Sequence, residues 1–334
     1  MECFVIFVMA WYWFNASESK PQNVSDNLKP KLCDNMNIKL LSTDSRGTPC
    51  SECKAYSFPI TNELFENYFQ NRELICPKCD AKLNLWDLLL RHFDWEVSTY
   101  LYAIVGAKST WAEIIMKPNE DFFLDLETIG ITTESKILQI GYTPQENGLM
   151  PLEVHTNVPI RHFIPNKINL FGKPFREPKE ETRVLVTVDW VDNNDENVLW
   201  QNLIEAVEAF SIKKYQSVII PANVAVESRL TPILSEYIEK IVSKKRVESF
   251  LTSGATYSHQ VNVLLPLLAT AENFPLMPDF LRGNLNSLRT FRNELAHKGK
   301  LENIDKSKVA TLLCSATFAL SYLNIFANHL KSKK

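Results

Sequence analysis

Four cysteines do most to limit what this chain can fold into. They stand as Cys50-Ser-Glu-Cys53 and Cys76-Pro-Lys-Cys79, a C-x2-C-x22-C-x2-C pattern. Two tight turns of this kind can bring four thiolates onto one tetrahedral zinc ion, with Zn–S distances near ~2.3 Å. The other three cysteines, Cys3, Cys33 and Cys314, are scattered. The pattern therefore points to a metal site in a reducing compartment rather than to a disulfide framework. Cysteine fills all four positions and leaves none open for water, which argues for structural rather than catalytic zinc. The alternating residues between the pairs fit a small zinc ribbon over 36–85. From Cys50 to Asp80 three basic residues face five acidic ones. A module that gripped phosphates would be basic, so this one is expected to brace structure or to receive a regulatory protein or ligand.

The chain has 334 residues, more than one small core requires, and an α+β multidomain organisation follows from its patterning. From Trp86 to about Ala107 the apolar and aromatic residues recur at helical spacing, giving a connecting helix within 86–117. The runs "DFFLDLETIGI", "KILQIGYT", "PLEVHT" and "TRVLVTVDWV" are rich in β-branched and aromatic residues and are separated by turn residues. They predict a small, mainly antiparallel β domain over 118–191. "VDNNDEN", 191–197, reads as a polar linker. From Val198 the spacing turns helical again, and four helices with short loops predict an all-α bundle over 198–330. Pro221 and Pro232 interrupt the second of them.

The opening "MECFVIFVMAWYWF" is shorter than the ~20 apolar residues a membrane span needs. It also lacks the basic flank and cleavage site of a signal peptide. Residues 1–35 are read either as a disordered or non-native extension ahead of a start at Met36, or as a short hydrophobic arm. Net charge is −3, so nothing global draws the molecule to nucleic acid or to an anionic membrane. A cytoplasmic, membrane-free location is expected. The chain has no GxGxxG, GxxxxGK[ST], HExxH or GxSxG, which sets aside nucleotide cradles, zinc proteases and serine hydrolases as first readings.

The chemistry-bearing stretch is "LRTFRNELAHKG". The apolar stripe Leu281, Leu285, Leu288, Phe291, Leu295 runs along it, with Arg292 at its edge and His297 five residues on. Five residues turn about 140° around a regular helix, so the two converge only if the helix ends there. Gly299 and the polar "KLENIDKSK" supply such an end, where the negative pole of the helix favours cations. Residues 281–308 hold seven Lys/Arg against three Asp/Glu, a surplus of four that suits a phosphate backbone.

This motif, within four C-terminal helices, resembles the R-x4-6-H signature of HEPN domains in its RN-x-x-A-H form. "KKYQSVIIPANVAVESRL", with Glu227, is similar to that family's second helix. The resemblance covers about 198–330. It implies a metal-independent endoribonuclease acting on RNA as a homodimer, plausible as a toxin or antiviral-defence effector. His297 would be the general acid or base, since imidazole ordinarily titrates near ~6.5. Arg292 would stabilise charge at phosphorus, and Asn293 would orient substrate or bridge the dimer. An inactive HEPN module that only dimerises or recognises a partner is the alternative, with Arg292 paired to Glu227 or Glu294.

A further reading starts from "FFLDLETIGI", which resembles the first motif of DEDD exonucleases. On a strand, Asp125 and Glu127 would share one face and hold divalent metal.

Overall fold

The computed structural model describes residues 38–95, 102, 106–133, 135–144, 152–156, 167–174, 181–191, 195–302 and 304–333. The expected extension over 1–35 and the start at Met36 lie outside these residues. Mixed α and β structure is present, with antiparallel sheets followed by a C-terminal helical region.

Strand β1 (Ile38–Ser45) leads through β2 (Gly47–Pro49) and β3 (Ser57–Pro59) to helix α1 (Asn62–Phe69). Then come β4 (Leu74–Ile75), β5 (Lys82–Leu83) and α2 (Leu85–Trp95). Six further strands follow: β6 (Lys108–Met116), β7 (Asp121–Asp125), β8 (Lys136–Pro144), β9 (Leu152–Thr156), β10 (Lys167–Pro174) and β11 (Thr182–Val191).

The larger sheet has the order β1-β6-β11-β8 and the smaller one β7-β10-β9, with every pairing antiparallel. Strict alternation along β6 turns Ala112, Ile114 and Met116 inward, and Val184, Val186 and Val188 do the same on β11. Leu124 of β7 with Ile168 and Leu170 of β10 meet them from the smaller sheet, closing one dry core. Two-residue periodicity makes each sheet apolar on one face only, and stacking the two faces buries both.

This arrangement corrects two expected boundaries. The helix predicted over 86–117 is confined, among the described residues, to α2 and a helical position at Tyr102, because Lys108–Met116 forms a central strand. The sheet also recruits β1 from the segment assigned to the zinc ribbon. The β domain thus draws on residues well before 118. The expected linker gives way to helix at Asp195.

The helical region comprises α3 (Asp195–Ser211), α4 (Tyr215–Ile238), α5 (Lys244–Ser249), α6 (Leu265–Ala271), α7 (Asp279–Lys298) and α8 (Lys306–Ser332). Two π-helical turns, Phe250–Gly254 and Gln260–Leu264, lie between α5 and α6. The four long helices pack mutually, α3 on α4, α4 on both α7 and α8, and α7 on α8. Helix α4 runs unbroken through Pro221 and Pro232, so these prolines do not interrupt it. Helix α8 is long and apolar enough to cross a membrane, yet 89% of its apolar window is buried inside the fold. A helix that is apolar all round belongs in a core, and α8 is the axis around which the others pack.

Helices α1 and α2 share that core. Phe65 and Phe69 of α1, and Leu89 and Phe93 of α2, lie in one buried cluster with Leu203, Phe210, Leu313, Phe318 and Tyr322. A buried ion pair ties the strands to the cysteine segment. Arg46, just after β1, donates from Nε (2.9 Å) and Nη2 (2.6 Å) to Oδ1 of Asp189 in β11.

Candidate functional site

Two places hold the candidate site residues, and the cysteine cluster is the better defined. Each C-x2-C pair sits on a tight turn held by a short hairpin, the first between β2 and β3 and the second between β4 and β5. The turns are built alike. The N–H of Lys54 donates to the Cys50 carbonyl (3.2 Å) and that of Asp80 to the Cys76 carbonyl (2.9 Å). Lys54 and Asp80 take left-handed backbone, at φ 57° and 55°, an uncommon state for residues with a Cβ. Gly47 lets the first hairpin close, since a Cβ there would stand 2.7 Å from the Phe58 carbonyl oxygen.

These turns bring all four Sγ atoms within 4.8 Å of one another. Cys50 to Cys79 and Cys53 to Cys76 are both 3.8 Å. A zinc ion with Zn–S bonds of ~2.3 Å needs tetrahedron edges of about 3.8 Å; these two edges match that length, and the four thiols lie close enough together to bind a metal ion. Burial opposes ionisation of Cys50. The N–H groups of Cys53 and Glu52 and the adjacent thiols outweigh it and bring that thiol down to about 7. At Cys79 the N–H of Ala81 favours the thiolate, but burial and the hydrogen bonds shared with the thiols of Cys53, Cys76 and Cys50 outweigh it and push that thiol up to about 12. Metal binding requires the thiols to give up their protons, so a divalent cation would displace these shared hydrogen bonds. Between the pairs lies α1 rather than the alternating strand residues expected of a ribbon. Its start is capped by Thr61, whose hydroxyl accepts from the N–H of Leu64 at 3.3 Å.

The second place is the C-terminal part of α7. The buried positions Leu281, Leu285 and Leu288 extend by the same three- and four-residue steps to Arg292 and Leu295. Arg292 therefore continues the core-facing stripe rather than flanking it, and it is half-buried. Its Nη1 donates to Oδ1 of Asn293 at 3.1 Å. Neither carboxylate considered as its partner engages it. Glu227 of α4 accepts from Nη1 of Arg289 at 3.0 Å, and Glu294 accepts from Lys298 at 2.9 Å.

His297 is solvent-exposed. Helix α7 continues to Lys298 and stops at Gly299, whose φ of 73° and N–H bond to the Leu295 carbonyl close the last turn. His297 thus lies within the last turn of regular helix, about 140° around the axis from Arg292. The helix ends at Gly299 as expected, but the convergence expected from that end does not occur inside one chain.

Asp125 and Glu127 do not form a strand-face pair. Asp125 ends β7, and its Oδ1 accepts the N–H of Glu127 at 3.1 Å, capping the 3-10 turn Leu126–Ile129 in which Glu127 sits. Among the described residues, the four cysteines are the only group of three or more potential metal ligands brought together.

Three other histidines among the described residues are held by the fold. Buried His92 shares a 2.7 Å hydrogen bond with Thr48 Oγ1, His259 pairs with Thr256 at 3.0 Å, and His329 meets the Glu272 carbonyl at 3.1 Å. Sequence reasoning missed Arg289. Its signal was the spacing Arg282, Asn286, Arg289, Asn293, which forms a polar stripe beside the apolar one. The chain matches no protein-family model, no curated protein and no solved structure.

Proposed function

We propose that the protein is a metal-independent endoribonuclease of HEPN type, cytoplasmic and homodimeric, with a structural zinc ion held by Cys50, Cys53, Cys76 and Cys79. The observation that carries this reading is Arg292, a guanidinium on the core-facing stripe of α7 with no carboxylate partner among the described residues. A half-buried cation of that kind is suited to an anionic ligand. RNA brings its own nucleophile, the 2′-hydroxyl, so cleavage requires proton transfer and charge stabilisation rather than a metal. In this reading His297 accepts the 2′-hydroxyl proton or protonates the departing 5′-oxygen. Arg292 stabilises the charge building on the phosphoryl oxygens, and Asn293 fixes its side chain. Arg292 and His297 diverge around a single helix, so a second copy of α7 supplies the facing half of the site. A role as a toxin or antiviral-defence effector rests on the family resemblance alone.

The divergence of Arg292 and His297 also favours a second reading, a catalytically silent HEPN module that dimerises or recognises a partner. End-group analysis of RNA incubated with the protein separates the two. The ribonuclease reading requires 2′,3′-cyclic phosphate and 5′-hydroxyl ends. Intact RNA in the presence of a stable dimer favours the silent module, and 5′-phosphate ends formed only with added metal overturn both.

A further inference from the structure

Helices α4 and α7 run antiparallel where they meet. Arg289 pairs with Glu227, and farther along Leu301, beyond α7, exchanges hydrogen bonds with Gln216 near the start of α4. On this register Asn223, one turn before Glu227, is level with Arg292, one turn after Arg289. The Glu227 carboxylate is held from both sides. Arg289 Nη1 donates to Oε1 at 3.0 Å and Asn223 Nδ2 to Oε2 at 3.0 Å. Arg289 is fixed in turn over the ring of buried Tyr257, 5.2 Å from its centroid. Tyr257 lies between the two π-helical turns, and Gln260 pins the first of these by donating to the carbonyls of Leu251 and Ala255 at 3.0 Å each. Arg292 sits one turn, about 4.5 Å of rise, beyond Arg289 on the same side of α7.

We infer that Arg289 is a positioning residue: by occupying Glu227 it keeps the nearest α4 carboxylate from neutralising Arg292, so that Arg292 stays available to an anionic phosphodiester. The part played in substrate binding rests on the ribonuclease reading; the choice of partner for Glu227 does not. Without Arg289, Glu227 would remain anchored by Asn223 beside Arg292, its one remaining cationic neighbour on α7 at that level. Two opposite charges brought together in a half-buried setting pair strongly enough to compete with an incoming phosphate.

The test uses the full chain with its metal, in four forms: wild type, Arg289→Met, Glu227→Gln and the double variant, with Arg289→Lys as a version that keeps the charge. Two readouts are taken. One is the rate of phenylglyoxal labelling at Arg292, read by peptide mass. The other is affinity for a 2′-deoxy oligonucleotide, which cannot be cleaved through a 2′-hydroxyl. Arg289→Met is expected to slow labelling of Arg292 at least fivefold and to weaken oligonucleotide binding about tenfold. Glu227→Gln should leave both near wild type. The double variant should recover both to within about threefold, and Arg289→Lys should stay near wild type.

A double variant that still binds as weakly as Arg289→Met, with Arg292 labelling restored, would make Arg289 a direct substrate contact and overturn the inference. Unchanged labelling in Arg289→Met would overturn it as well. If Arg289→Met does not fold, Arg289→Gln takes its place: slower labelling of Arg292 there, reversed by Glu227→Gln, decides for the inference, and wild-type rates in these forms decide against it. If the wild type binds no oligonucleotide, the ribonuclease reading fails while the labelling series still decides which residue Glu227 pairs with.

Discussion

The ring of Phe65, on the helix between the two cysteine turns, stands edge-on to the ring of Phe318 on the central C-terminal helix, with centroids 5.1 Å apart. Phe69 meets Tyr322 of the same helix at 5.1 Å, and Trp86 of α2 meets Phe318 at 5.2 Å. On its other side α2 places Leu88 against Cys50 and Cys76. The cysteine cluster and the helical core thus share two short helices.

That continuity predicts a long-range effect of metal removal. A structural metal contributes its binding free energy to folding, so chelation should accelerate amide hydrogen exchange in α8, not only in the cysteine turns. Cys76→Ser should do the same. Exchange in α8 that stays unchanged after complete loss of metal would contradict the coupling. Phe318→Ala should cost about 3–5 kcal/mol, as for other buried aromatic truncations, measured by urea denaturation.

The Arg46–Asp189 pair is 9% and 2% exposed, so water screens neither charge and each stabilises the other. Asp189→Ala strands a buried guanidinium and should cost about 3–5 kcal/mol. The double variant Arg46→Met/Asp189→Leu removes both charges and should lie much closer to wild type. Urea denaturation of the two variants checks this. A single substitution costing no more than the double would mean that the pair is already solvated.

Burial of His92 lowers its pKa to about 4, below its ordinary value near ~6.5 in an unfolded chain. Between those values the unfolded chain binds the proton and the folded one does not, so stability falls as pH falls. The loss begins below about pH 6.5, reaches its full extent of roughly 3 kcal/mol near pH 4, and does not grow below that. Above about pH 6.5 this group contributes no pH dependence. His92→Gln should flatten that part of the stability profile relative to wild type in otherwise identical denaturation series. An unaltered slope would assign the acid sensitivity to other groups.

Local signals in the sequence were strong where chemistry is local. The cysteine spacing predicts the four-thiol cluster, because two tight turns need little beyond their own residues. The runs over 121–125, 136–144 and 182–191 read as strands because their period is two on a single face. Strand β6 was harder to see. It follows an aromatic helical run, and its inward residues Ala112, Ile114 and Met116 acquire meaning only from the sheet that pairs with them. Strand β1 was likewise hidden, since Leu40 and Leu41 remain exposed beside a bulge. At the α7 site the motif was visible but its geometry was not. Gly299 ends the helix where the sequence suggests, yet His297 still lies within its last turn, about 140° around the axis from Arg292, and that geometry is not readable from the motif alone. The partner of Glu227 was equally out of reach, because choosing between Arg289 and Arg292 requires the register of α4 against α7.

The most direct test of the account is cleavage of single-stranded RNA in excess EDTA by purified wild type beside His297→Ala. Zinc content and dimer state are measured in both before and after EDTA, because a chelator that also strips the cysteine site would confuse unfolding with loss of chemistry. Cleavage by the wild type in EDTA, with retained zinc and a loss of at least a hundredfold in His297→Ala, is the predicted result. Equal cleavage by both proteins, or none by a folded, dimeric, zinc-loaded wild type across cellular RNAs, would contradict the assignment of ribonuclease chemistry to α7.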